Sequence, residues 1–153
     1  MQREGNLPQL FAEIIRKSCE RRNVPLSPST QAYLVSLLGK YTNIDSLLAE
    51  FEQEEPLTFK IHRASSSPEE LKNIGEHCLF FVGFFYGFVR KKGEAHVGYY
   101  CDIGSTAYTR YSTFRLQKNM GEDWLSFKEI ARRFPDVGRV IGDTHLEGLT
   151  EEQ

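Results

Sequence analysis

The feature that most constrains the fold is a run of apolar side chains at residues 77–89, His-Cys-Leu-Phe-Phe-Val-Gly-Phe-Phe-Tyr-Gly-Phe-Val. Gly83 and Gly87 lie about one helical turn apart, and Gly75 lies about two turns before Gly83. The three glycines therefore share one face if the segment is helical, and small residues on one face let a second helix approach the backbone closely. The run predicts a buried, glycine-faced central helix.

The length of the run excludes a membrane span. Residues 78–89 supply 12 positions, where about 20 apolar residues are needed to cross a bilayer, and charged residues follow at once. Close packing against another helix of the same chain is the interpretation we prefer for the glycine face, and a dimer seam between two copies is the alternative. Gly98 and Gly104 are candidates for the complementary groove on the next helix.

Two end signals favour a helix over a strand for this segment. Ser67-Pro68-Glu69-Glu70 has the pattern of a capping box with proline at the first helical position. Cations at 90–92 and Gly93 suit a helix C-terminus, and a second long helix is predicted from Glu94 to about Gln117. The alternative is a β-hairpin formed by 84–89 and 96–103, because Phe, Tyr and Val also favour strands.

Helical periodicity recurs along the rest of the chain. Ser27 followed by Pro28 predicts a helix start, and Ser126 with Glu129 forms a second capping-box pattern, whose helix Pro135 is expected to end. We predict an all-α, single-domain bundle of about six helices over residues 1–153. The remaining predicted segments are 8–22, 28–40, 44–54, 126–133 and 136–145, with a solvated tail at 148–153.

Composition points to a cytoplasmic protein. The net charge of −2 leaves no broad basic footprint, which disfavours a general nucleic-acid binder. The first residues lack the apolar stretch of a secretory signal. Cys19, Cys78 and Cys101 are odd in number and widely spaced, so we expect reduced thiols.

Two segments carry a resemblance. Residues 79–85, Leu-Phe-Phe-Val-Gly-Phe-Phe, and 99–108, Tyr-Tyr-Cys-Asp-Ile-Gly-Ser-Thr-Ala-Tyr, resemble a group of small, soluble, helical bacterial proteins of unassigned function. Ser-Pro-x-x-x-x-Tyr-Leu at 27–34 adds weaker support. The shared pattern is one of packing residues, so the resemblance implies helices and implies no chemistry.

A polar and aromatic cluster on the second central helix is the candidate ligand site. Phenols, a carboxylate and a guanidinium can together hydrogen-bond a ligand. The simpler interpretation, which we prefer, is that buried tyrosine hydroxyls take Asp102 as their partner. The candidate ligand-binding residues are Phe84, Tyr100, Asp102, Tyr108 and Arg110, and the candidate helix-packing residues are Gly75, Gly83, Gly87 and Gly104.

The sequence contains no strong motif for catalysis or for metal binding. Histidines do not occur at metal-ligand spacings, and His77 points about 100° away from Cys78 on a helix. We therefore predict no catalytic residue and no metal ligand, and the sequence identifies no cofactor. Arg132, Arg133, Arg139 and the cations at 90–92 are local basic sites. The interpretation we prefer for them is a solvated surface, and the alternative is a contact with an acidic partner or with nucleic acid.

These observations favour a non-enzymatic binding or assembly module that forms a homo-oligomer, and they are compatible with a protein partner. The first alternative is a small-ligand or cofactor-binding protein with a pocket between the two central helices. A nucleic-acid-binding regulator is the third hypothesis.

Overall fold

The computed structural model of the chain describes residues 7–40, 67–88 and 94–152, without the side chains of 84–96 and 145–152. These residues form helices, with no strand among them, which confirms the all-α bundle. The predicted helix at 44–54 lies outside the described residues. The helices are α1 Leu7–Arg22, α2 Pro28–Lys40, α3 Pro68–Phe88, α4 Glu94–Gln117, α5 Trp124–Arg132 and α6 Phe134–Glu152.

Residues 77–88 of the apolar run form the second half of α3, in the middle of the bundle. Leu79, Phe80 and Val82 are almost completely buried, and α3 packs mainly against α4 and α6. The β-hairpin alternative is wrong, because 84–88 and 94–103 are both helical. None of the described helices has the length and apolar character needed to cross a bilayer.

Local capping explains where the first two helices end and begin. The Thr30 N–H donates to Ser27 Oγ at 3.2 Å, so Ser27 is the predicted N-cap of α2. At the end of α1, Asn23 adopts a left-handed φ of 57°, and the Val24 N–H donates to the Cys19 carbonyl at 2.9 Å. These bonds turn the chain so that α2 can pack against α1.

The second capping-box prediction is wrong. Helix α5 begins at Trp124, two residues before Ser126, and Ser126 is buried inside the helix. Glu129 instead accepts hydrogen bonds from the Ser27 N–H at 3.1 Å and the Thr30 hydroxyl at 2.5 Å. The Glu129 carboxylate therefore bonds to the start of α2, whereas the capping-box pattern predicted that it would bond within its own helix.

The C-terminal helix also differs from the prediction. Pro135 lies in the first turn of α6, where a missing N–H costs no helical hydrogen bond. The preceding helix has already ended at Arg132, with Arg133 as its C-cap. Helix α6 begins at Phe134 and continues through Glu152, so the backbone at 148–152 is helical and not an irregular tail.

Three of the candidate packing glycines lie where helices of this chain approach one another. A Cβ added at Gly75 would lie 2.9 Å from the Tyr108 ring of α4. At Gly83 it would overlap Ile141 of α6, and at Gly104 it would overlap the Phe134 ring. The surroundings of Gly87 lie outside the described side chains. The glycine face therefore contacts two different helices, α4 and α6.

Candidate functional site

The candidate ligand-binding residues on α4 are divided between surface and core. Asp102 and Arg110 are exposed, and Tyr100 is partly buried beside Phe81. Tyr108 is completely buried. The side chain of Phe84 lies outside the described residues, so the full set stays a prediction. The structure separates the carboxylate and guanidinium of this set from the buried phenol.

The hydroxyl of Tyr108 takes part in a polar network between α2, α3 and α4. It lies 2.9 Å from the Tyr33 hydroxyl, which donates to Glu76 Oε2 at 2.8 Å. Lys40 Nζ donates to the other Glu76 oxygen at 2.8 Å. Burial, followed by the neighbouring Tyr108 and Glu76, raises the pKa of Tyr33 far above its ordinary value. Glu76 thus takes the phenol partnership that we expected of Asp102.

Replacing Tyr33 with phenylalanine is expected to lower the free energy of unfolding by about 1–2 kcal/mol, because a buried carboxylate loses a donor. Urea unfolding monitored by circular dichroism measures the change. The control is Tyr99→Phe, since Tyr99 is 38% exposed and its loss should change stability little. Equal effects of the two substitutions would contradict a structural role for the Tyr33 hydroxyl.

The thiols lack the character of nucleophiles. Burial raises the pKa of Cys19 and of Cys101 to about 11, so both are protonated at neutral pH. Cys78 is completely buried. Within the part of the chain that the structure describes, no three or more His, Cys, Asp or Glu side chains are grouped to hold a metal ion.

A buried carboxylate of α6 connects this last helix to α1 through hydrogen bonds and ion pairs. Asp143 of α6, whose side chain is 8% exposed, accepts from Arg22 Nε at 2.7 Å and from Arg22 Nη2 at 2.8 Å. Its Oδ2 atom also accepts from Ser18 Oγ at 2.5 Å and Arg21 Nη2 at 2.9 Å. Burial alone would raise the pKa of Asp143, but hydrogen bonds from Arg22 and Ser18 and the arginine charges lower it.

An open cleft lies where the α1–α2 connection faces α5 and the start of α6. We call it the basic cleft, and its volume is about 550 Å³. Among the described residues, the side chains of Arg132 and Arg133 make no ion pair or hydrogen bond. Its lining residues are Pro25, Ser27, Leu125, Lys128, Glu129, Arg132, Arg133 and Asp136.

A second depression of about 430 Å³ adjoins the basic cleft through their shared residue Asp136. Asp143 holds Arg21 and Arg22 at this depression, and Asp136 accepts from Arg139 Nη1 at 3.2 Å. Together the two clefts are lined by six cationic side chains and two carboxylates. This surplus contrasts with the net charge of −2 for the whole chain.

Sequence reasoning identified part of this surface. It marked Arg132, Arg133 and Arg139 as basic sites, but it missed Lys128 and the two arginines that end α1. The available signal was Asp143, an acidic residue after the apolar pair Val140-Ile141 in the sequence. A carboxylate in such a segment requires a cationic partner.

A comparison of the chain with protein-family models, with curated proteins and with solved structures found no match. The resemblance to small helical bacterial proteins therefore stays a prediction.

Proposed function

We propose that the chain is a cytosolic, non-enzymatic binding module that takes an anionic ligand in the basic cleft. The carrying observation is that Arg132 and Arg133 lack an ion pair among the described residues while lining a cleft of about 550 Å³. A guanidinium presents a planar set of donors that matches carboxylate and phosphate groups. The free state of all three cysteines agrees with a reducing compartment.

The charge balance inside the cleft supports this assignment. Glu129 is engaged by the Ser27 N–H and the Thr30 hydroxyl, and Asp136 is paired with Arg139. The hydrogen bonds hold Glu129 in place without cancelling its charge, and the lining of the cleft still has three cations, Lys128, Arg132 and Arg133, against two carboxylates. Electrostatic complementarity of this kind increases association rates and disfavours cationic partners.

The contacts give less support to the other hypotheses. Between α3 and α4, Tyr108 packs against Gly75, and Phe134 of α6 packs against Gly104, which leaves no gap for a ligand at these two positions. Gly83 contacts α6 of its own chain, and this contact argues against a dimer seam at that glycine. Homo-oligomerisation through another surface stays a prediction.

The test measures binding of polyglutamate and of a single-stranded oligonucleotide to the full chain by fluorescence anisotropy. We expect binding to at least one probe at about 50 mM salt, and weaker binding as screening increases. The double substitution Arg132→Gln with Arg133→Gln should weaken binding about tenfold, because two charge-assisted contacts of modest strength are lost.

The matched control removes two cations elsewhere, in Arg110→Gln with Lys118→Gln. Both residues are exposed and neither lines the basic cleft. If the control weakens binding as much as the cleft variant, only net charge matters and the assignment to the cleft is wrong. Absence of binding to both probes at low salt would reject the proposed function.

A further inference from the structure

We infer that the ligand of the basic cleft is an acidic polypeptide segment that carries an apolar side chain beside its carboxylates. This inference rests on the proposed function and specifies the partner. Its carboxylates would pair with Arg132 and Arg133, and its apolar side chain would contact Leu125. The juxtaposition of one exposed apolar residue near the start of α5 with two unpaired arginines at its C-terminal end carries the inference.

Leu125 is the apolar end of the cleft. It is 57% exposed, the most exposed large apolar residue among those described, and it lines the cleft with Pro25. The other exposed large apolar residues, Tyr99, Leu116 and Met120, do not belong to the lining. An exposed leucine at the wall of a concave charged surface offers area that only an apolar group of a partner can bury favourably.

The spacing along α5 sets the spacing required of the partner. Leu125, Lys128 and Arg132 are separated by three and four residues, so they share one face of the helix. Seven residues separate Leu125 from Arg132, which is about 10 Å along the axis. An extended peptide covers this distance in about three residues. The partner therefore needs its apolar residue and its carboxylates within one short segment.

The cleft suits a peptide better than a nucleic acid. The described residues that line the cleft include no aromatic ring. Binding of single strands ordinarily depends on aromatic side chains on which bases stack.

The test is a double-mutant cycle with defined peptides. One peptide has glutamates flanking a single leucine, a second has alanine in place of the leucine, and the third probe is an oligonucleotide of equal charge. Leu125→Ala should weaken binding of the leucine peptide about fivefold, because the partly buried contact between two leucines is lost. Its affinity for the alanine peptide should stay unchanged. Leu116→Ala, at a leucine that is 51% exposed, is the matched control.

Each outcome decides between the two proposals. If the Arg132→Gln, Arg133→Gln variant loses binding but Leu125→Ala affects both peptides equally, the cleft binds anions and the apolar contact is wrong. Tighter binding of the oligonucleotide than of either peptide would also overturn the inference while preserving the cleft. If none of the three probes binds at low salt, the inference fails together with the proposed function.

Discussion

Replacing Gly104 with alanine is expected to lower the free energy of unfolding by about 2 kcal/mol, although alanine favours helices more than glycine does. The new Cβ would overlap the ring of Phe134 and approach Cys78 Cβ to 2.8 Å. Phe134 is 1% exposed and belongs to the hydrophobic core, so its ring can move only by displacing other core side chains. Overpacking of a filled core typically costs about 1–3 kcal/mol, which exceeds the gain of about 1 kcal/mol in helix propensity.

Gly98→Ala is the matched control, because it introduces the same methyl group into the same helix. A Cβ at Gly98 would meet nothing within 4 Å. This substitution should raise the free energy of unfolding by about 0.5–1 kcal/mol through propensity alone. Urea unfolding of both variants separates the two effects. Stabilisation by Gly104→Ala would show that α4 and α6 do not pack as closely as the structure has them.

Replacing Asp143 with asparagine is expected to lower the free energy of unfolding by about 3 kcal/mol at neutral pH. The carboxylate is almost buried and accepts from Arg22, Arg21 and Ser18. Removing one member of a buried ion pair typically costs about 3–5 kcal/mol, because the remaining charge is left without compensation. The partial exposure of Arg22, 31%, and of Arg21, 54%, places the expected loss at the lower end.

The effect of Asp143 should also depend on pH in a defined direction. Its folded-state pKa is lower than its ordinary value, so the unfolded chain binds a proton at higher pH than the folded chain does. The stabilisation is therefore complete above the ordinary aspartate pKa of about 3.9 and is lost as the pH falls through the folded pKa. The difference between wild type and Asp143→Asn should be constant from about pH 7 to pH 5 and shrink below about pH 4.

Asp136→Asn is the control for this series. Asp136 and Arg139 form an exposed pair on a single helix, and such pairs contribute about 0.5 kcal/mol or less. Urea unfolding at three pH values measures both variants. A constant difference between wild type and Asp143→Asn down to about pH 3 would contradict a stabilising carboxylate at position 143.

The Asp143 contacts connect stability with the proposed binding surface. They hold Arg21 and Arg22, which line the depression beside the basic cleft. Loss of Asp143 would therefore change the electrostatics of that surface as well as the packing of α1 on α6. For this reason Arg132 and Arg133, which do not contact Asp143, are the better positions for testing ligand binding.

The central helices could be predicted because their signals are local. The capping pattern at 67–70 acts through neighbouring residues, and α3 begins at Pro68 as expected. The capping-box prediction at Ser126 was wrong, because Glu129 accepts hydrogen bonds from Ser27 and Thr30 at the start of α2. A capping box needs its glutamate to be free, and sequence alone does not show whether a distant helix has taken it.

The candidate site depended still more on tertiary packing. The sequence placed Tyr108 near one face of α4, but it paired the buried tyrosines with Asp102, which is six positions or about 1.7 turns before Tyr108. In the fold, Tyr108 meets Tyr33, 75 positions earlier in the chain. The packing of the helices decides which polar residue becomes the partner of a buried hydroxyl. The sequence contains many carboxylates and does not show which of them will lie near that hydroxyl.

The sequence by itself determined an all-helical fold, an apolar run too short to cross a membrane, and the presence of isolated basic residues near 132–139. These properties follow from periodicity, length and charge, which act over a few residues. Only the tertiary structure brought Arg21 and Arg22 to Asp143, formed the basic cleft by placing the α1–α2 connection against α5, and assigned Gly83 to α6. The physical reason is that charge pairing and clefts depend on distances between helices, which local preferences do not specify.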